Sequence, residues 1–202
     1  MKTVNDQKLY FAQDFQDILS HGVLVSRLAY RLGRELKLSD WECHELAVAG
    51  VIHDIGKLQL TRYLHNHTVE EEMSLEEIQY MHMHSKCSYR LLKKYDYSDF
   101  VLLAVLYHHE NYDGTGYPEN LQGVDIPFEA RILRVCDVFA ALISKRIYRD
   151  AFSVDAAVEV MIDEIKNYDM KVFLAFQRMV HEEDFLKCLG TPSEMEEFKW
   201  HW

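Results

Sequence analysis

The stretch HHENYDGTGYPENLQG, residues His108 to Gly123, interrupts a chain that otherwise reads as helix. The 202 residues include only eight glycines and three prolines, and five of these eleven fall within positions 114–127. Both residue types disfavour a helix interior, so the cluster marks the main break. Immediately upstream, the apolar run FVLLAVLY from Phe100 leads into two adjacent histidines. Downstream, a helix is expected from Phe128 to about Arg149.

Other segments carry helical spacing. Between Phe15 and Leu38, apolar residues recur at Ile18, Val25, Leu28 and Leu32. Ser39 and Asp40 offer an N-cap for a second helix running toward Ile52. Ser74 and Glu77 resemble a capping box, opening a helix through Ile78, Met81 and Leu91 that holds His84 at its middle. A further helix covers Asp99 to His109. Ser153 with Asp155 starts another, and Asp169 starts a short one. Segment 58–73 reads as polar and irregular. No strand alternation is sustained, so the expected fold is all-α. The expected organisation is one domain over 1–202, with a core of about 15–180 and a tail, 181–202, containing EEFKWHW.

Bulk properties narrow the function. A hydrophobic content of 49% supports a substantial core. The net charge of −11 argues against duplex nucleic acid, because phosphate contacts need a basic face. Without a basic amphipathic helix, membrane-surface binding is also disfavoured. A phosphate substrate stays open, since a bound divalent metal supplies a local positive field. Cys43, Cys87, Cys136 and Cys188 stand far apart, as expected for reduced thiols. The start, MKTVNDQKLYFAQDF, lacks an apolar leader segment, and no apolar run is long enough to span a bilayer; a cytoplasmic protein is expected.

Among eleven histidines, five sit at informative places with two aspartates. His21 lies on the apolar stripe of the first helix, where a hydrogen-bonded core histidine is the simpler reading. His53 and Asp54 end the apolar run AVAGVIHD; burying them is costly unless they pair or bind a metal. His84 falls on the apolar side of its helix, whereas His82 points to another face and reads as solvated. His108 and His109 end an apolar helix. Asp137 lies inside ARILRVCDVFAAL, where an unpaired carboxylate would be expensive. Mixed nitrogen and oxygen donors suit first-row metals such as iron, manganese or zinc. Seven side chains exceed one ion's needs, and Asp54 has two oxygens that could bridge a pair. Two-metal sites favour phosphoester hydrolysis.

These pieces, in this order, resemble the HD-GYP group of the HD phosphohydrolase superfamily. They are HGVLVSR from His21, HDIGK at 53–57, His84, HHE-x-x-DGTGYP at 108–118, the IP-x-x-ARIL run, DVFAAL at 137–142 and R-x-YR at 146–149. The resemblance implies hydrolysis of cyclic di-GMP to pGpG or GMP by a metal-bridging hydroxide. It implies that His21, His53, Asp54, His84, His108, His109 and Asp137 bind two divalent ions, with Asp54 bridging. Iron or manganese is favoured, with zinc, magnesium, nickel or cobalt as alternatives. Lys57 would lie beside the scissile phosphate, and Tyr117, Arg146 and Arg149 would contact the dinucleotide. In the group's trinuclear members a glutamate stands one turn before the first histidine; here that place is the shorter Asp17, so two ions are favoured over three, and Asp17 can instead be a partner of His21. A homodimer or a regulatory protein partner is a further expectation. The alternatives are another phosphoester substrate and a weakly active cyclic di-GMP receptor.

Several positions depart from the group's pattern. Ala140 replaces an aspartate, Lys145 and Ile147 replace aspartate and proline, and Ser88 replaces a glycine. LQLTRYLHNHT follows HDIGK in place of a proline-bearing segment; its His65 and His67 read as surface residues. These changes are expected at the lip and base-recognition side of the pocket, without loss of a ligand.

Overall fold

Side-chain caps set where the helices begin in the computed structural model, which describes residues 4–64, 81–145, 150–185 and 189. Ser39 accepts from the Glu42 amide while Glu42 reaches back to the Ser39 amide, so α2 (Asp40–Ile52) opens with a full capping box. Ser98 caps α5 (Asp99–Tyr107), Ser153 caps α7 (Val154–Asp163) and Asp169 caps α8 (Met170–Val180). The remaining helices are α1 (Val4–Glu35), α3 (Lys57–Leu64), α4 (His84–Leu92) and α6 (Phe128–Ile143). No strand occurs among the described residues, as the all-α reading requires.

The core forms where α1, α2, α5 and α6 meet, with α8 closing one side. Leu28 and Leu32 of α1, Leu46 of α2, Val105 of α5, and Ile132 and Phe139 of α6 are all wholly buried there. Helix α5 is apolar on every face, which suits a central position. Among the described residues, no helix is long and apolar enough to cross a membrane. Cys43, Cys87 and Cys136 form no disulfide among the described residues.

Four boundaries differ from the expectations. Helix α1 begins at Val4 rather than near Phe15. Its first turns are rich in good helix formers (Gln, Lys, Leu, Ala), and extending an established helix costs little. Lys57–Leu64 is helical although its polarity suggested an irregular segment; the Lys57 amide donates to the Asp54 carbonyl at 2.9 Å and starts the turn. His84 stands at the first position of α4, after a turn at 82–83, not at mid-helix. Helix α6 stops at Ile143. There Ser144 turns extended and its hydroxyl donates to the Ala140 carbonyl at 2.7 Å, satisfying one of the last carbonyls. The expected start at Ser74, the residues His65 and His67, Arg146, Ile147 and Arg149, and the EEFKWHW tail lie outside the described residues.

Ala140 also differs from expectation. It is wholly buried within the hydrophobic core, so this departure lies in the packing of α6 and not at a lip.

Candidate metal centre

The helix ends deliver the polar side chains to one place. His53 caps the end of α2, Asp54 follows in the turn, Lys57 opens α3, His84 opens α4, and His108 caps the end of α5. His21 and Asp137 project inward from α1 and α6. All seven of the candidate ligands meet, in three overlapping groups. These are Asp54, His84, His108 and His109; His21, His53 and Asp54; and His53, His108 and Asp137. Within each group, one donor atom per residue lies within 4.8 Å of the others.

Three of the histidines share a device. The Nδ1–H of His53 donates to the Gly50 carbonyl at 2.8 Å. His84 donates likewise to Met81, and His108 to Val105, each at 2.7 Å. A carbonyl oxygen can only accept, so the proton belongs on Nδ1 and Nε2 is left facing the cluster. His109 differs: Arg134 Nη1 approaches its Nδ1 at 3.4 Å, while Arg134 Nη2 donates to Asn111 Oδ1 at 2.8 Å.

Asp54 spans the cluster. Its Oδ1 is 3.2 Å from His84 Nε2, and its Oδ2 is 3.4 Å from His53 Nε2. Lys57 Nζ donates to Oδ2 at 2.5 Å. On the other side, His21 Nε2 donates to Asp137 Oδ1 at 2.8 Å, and His53 Nε2 is 3.5 Å from the same oxygen. His21 is therefore a hydrogen-bonded interior histidine, as its simpler reading expects, and also a member of one donor group.

The donor set fits a cation. With both Nδ1 protons given to carbonyls, the bare Nε2 atoms of His84 and His108 face each other at 3.4 Å, and lone pairs so placed repel unless something positive sits between them. His109 holds the opposite tautomer: its Nδ1 faces Arg134, and its Nε2–H donates to His84 Nε2 at 3.0 Å. His53 Nε2 and Asp54 Oδ1 are buried and lack a hydrogen-bond partner. Buried polar atoms left in that state are costly, and a metal ion removes the cost.

Electrostatics prepares the same donors. Burial and the neighbouring His53 and His84 push His108 well below the usual histidine range. Burial and His108 do the same to His109. Both rings are therefore neutral at pH 7. Burial opposes charge on Asp54 and Asp137, but it is outweighed: His53 and Lys57 hold Asp54 well below the usual carboxylate range, and His21 and His53 hold Asp137 there. Burial would also lower His53, yet Asp54 and Asp137 push it up to about 10. The protonated His53 thus places positive charge beside the two carboxylates.

The glycine loop frames this centre. Gly114 has φ of +86°, a conformation that favours glycine. Gly116 serves differently: a Cβ there would overlap the backbone of His109 to Asn111. Tyr117 N–H donates to the His109 carbonyl at 3.1 Å and brings the tyrosine ring over the cluster. The Tyr117 ring stacks on His109, with centroids 4.7 Å apart. Burial raises the Tyr117 phenol, which stays protonated. Asp17 is exposed on α1 and belongs to none of the three donor groups.

Sequence reasoning missed three participants. Glu110 is buried, and its carboxylate accepts from the amides of Glu119 at 2.7 Å and Leu121 at 3.1 Å, tying the loop to its own start. Its place directly after two histidines was the available signal. Ser88, read only as a departure, accepts from the Gly56 amide at 2.8 Å and secures the turn after Asp54. Arg134 stands one helical turn before Asp137, a spacing that could have flagged it.

A family model for the HD domain matches residues 7–172. The chain belongs to the HD domain family. Its HDIGK and HHE-x-x-DGTGYP stretches put this HD domain in the HD-GYP group, and membership implies divalent-metal binding. It is 34% identical over 79% of its length to a cyclic di-GMP phosphodiesterase of Pseudomonas aeruginosa, of which it covers 38%. It is 33% identical over 96% of its length to a 3'3'-cGAMP-specific phosphodiesterase of Vibrio cholerae, of which it covers 44%. The HD domain thus spans less than half the length of these relatives. The solved structure of an HD-GYP-type protein from Bdellovibrio bacteriovorus shares the fold. Its TM-score is 0.65 at 20% identity, over 83% of this chain and 53% of that one.

Proposed function

We propose that this HD domain is a metal-dependent cyclic-dinucleotide phosphodiesterase, with cyclic di-GMP as the leading substrate and linear pGpG or GMP as product. The observation that carries this reading is Asp54, which turns one carboxylate oxygen toward His84 and the other toward His53. A carboxylate so placed suits two ions held by His21, His53, His84, His108, His109 and Asp137. The curated relatives named above, which are phosphodiesterases of cyclic dinucleotides, support the substrate class.

Divalent ions at this place supply Lewis acidity and a water of lowered pKa, the two needs of phosphodiester hydrolysis. The chain's own residues do the rest. Asp54 and Asp137, ionised at neutral pH, offset the positive charge of the centre. Lys57 sits beside Asp54 with its side chain 31% exposed, so its ammonium can meet a phosphate oxygen as charge builds there. Tyr117 keeps its phenolic proton and can donate it to the substrate in a hydrogen bond. Arg146 and Arg149 remain, from the HD-GYP resemblance, the expected contacts of the dinucleotide, since planar guanidinium groups suit phosphate. Iron or manganese suits the mixed nitrogen and oxygen donors, and exposed Asp17 argues for two ions over three. The reading places the protein in the cytoplasm, acting on a soluble substrate.

A test is direct. Protein loaded with iron or manganese under reducing conditions is incubated with cyclic di-GMP and 3'3'-cGAMP, and products are identified by mass spectrometry. Linear products are expected, and Asp54→Ala should lose them by a factor of about 1,000 or more, as removal of a two-metal contact would. Tight binding of either dinucleotide without turnover would instead select the receptor reading.

A further inference from the structure

His82 lies two residues before the candidate ligand His84 and is exposed. Its ring is stacked on Tyr117, with centroids 4.1 Å apart and planes 13° from parallel. Tyr117 in turn stacks on His109 at 4.7 Å and 27°. Three aromatic rings thus form a column that starts inside the donor cluster and ends at the surface. Both faces of Tyr117 are covered, one by His109 and one by His82. The tyrosine therefore has its edge and hydroxyl to offer, while the end of the column is the outer face of His82.

The column is held at both ends. His109 is fixed between His84 and Arg134. Near its outer end, Lys86 of α4 pairs with Glu119 of the loop at 2.9 Å, which ties Tyr117's loop to the helix beside His82. A flat, exposed ring in register with a half-buried aromatic stack is a platform for another flat ring. Purine bases stack well on such surfaces, histidine included, and with little dependence on sequence.

We propose that His82 is a base-stacking residue: its outer face receives one purine of the cyclic dinucleotide and so sets that substrate's position over the centre. This rests on the phosphodiesterase reading above. His82 takes no part in the chemistry. It contributes binding, which is realised equally in ground and transition states.

The test compares wild type, His82→Ala and His82→Phe by steady-state kinetics with cyclic di-GMP, with metal content measured on each preparation. Losing a stacked base typically weakens binding by about five- to a hundredfold. The expected result is a rise in KM of at least about fivefold in His82→Ala, with kcat and metal content kept, and recovery in His82→Phe. An unchanged KM in His82→Ala overturns the proposal. A fall in kcat or metal content at constant KM also overturns it, since His82 would then be a prop for Tyr117 and His109. Wild-type protein that hydrolyses no cyclic dinucleotide overturns the phosphodiesterase reading itself, and the stacking role with it.

Discussion

His53 shows how a single residue reports on the whole centre. With Nδ1–H given to the Gly50 carbonyl, its Nε2 faces Asp54 and Asp137, and those carboxylates push its pKa up to about 10. Without metal, the ring is a cation at neutral pH. A metal ion that takes Nε2 must displace that proton. Metal affinity should therefore rise with pH through the neutral range, by up to about tenfold per unit, and level off near the His53 value. Calorimetry in buffers of different ionisation enthalpy would detect the released proton. Binding with no proton release between pH 6 and pH 9 would contradict this. His53, Asp54, His108, His109 and Asp137 were legible as candidate ligands because a histidine or aspartate at the end of an apolar run, or inside one, is expensive without a partner, whereas His21 became one through the HD-GYP resemblance. His82 was not legible: its stacking partner Tyr117 arrives through a loop distant in sequence, and offset from His84 says nothing about that.

At the scale of elements, the caps made most helices readable. Ser39, Ser153 and Asp169 cap as their sequence positions suggest, and Ser98, which was not singled out, caps α5 in the same way. Lys57–Leu64 was missed because its polar face hid good helix formers, and its start depends on the turn at Asp54. The loop from His108 to Gly123 reads as a break, but its fastening could not be read. The buried Glu110 carboxylate gathers two amides of that loop, and charge-assisted bonds of this kind contribute most when buried. Glu110→Ala should lower the unfolding free energy by about 2 kcal/mol. Hydrogen exchange should then speed up at the Glu119 and Leu121 amides. Unaltered exchange there would show that the loop is held by other contacts.

At the scale of the molecule, the donors come from α1, α6 and the ends of α2, α4 and α5, so the centre is assembled only when these helices pack together. An ion that binds the folded chain alone must stabilise it. Metal at a hundredfold excess over its dissociation constant should add about 3 kcal/mol, raising Tm by roughly 5–10 °C for a domain of this size. A chelator should reverse the shift. The all-α class follows from helical spacing without strand alternation, and the set of seven donors from polar residues set against apolar runs together with the HD-GYP resemblance. The α1 start and the buried place of Ala140 do not, because packing decides them.

The central claim is that Asp54 joins two ions in one centre. It is tested most directly by counting metal per chain, using mass spectrometry of reconstituted, desalted protein. About two ions per chain are predicted for the wild type, and at most about one for Asp54→Ala with its helical content intact. A wild-type chain that holds one ion or fewer, or an Asp54→Ala variant that retains two, would contradict the account.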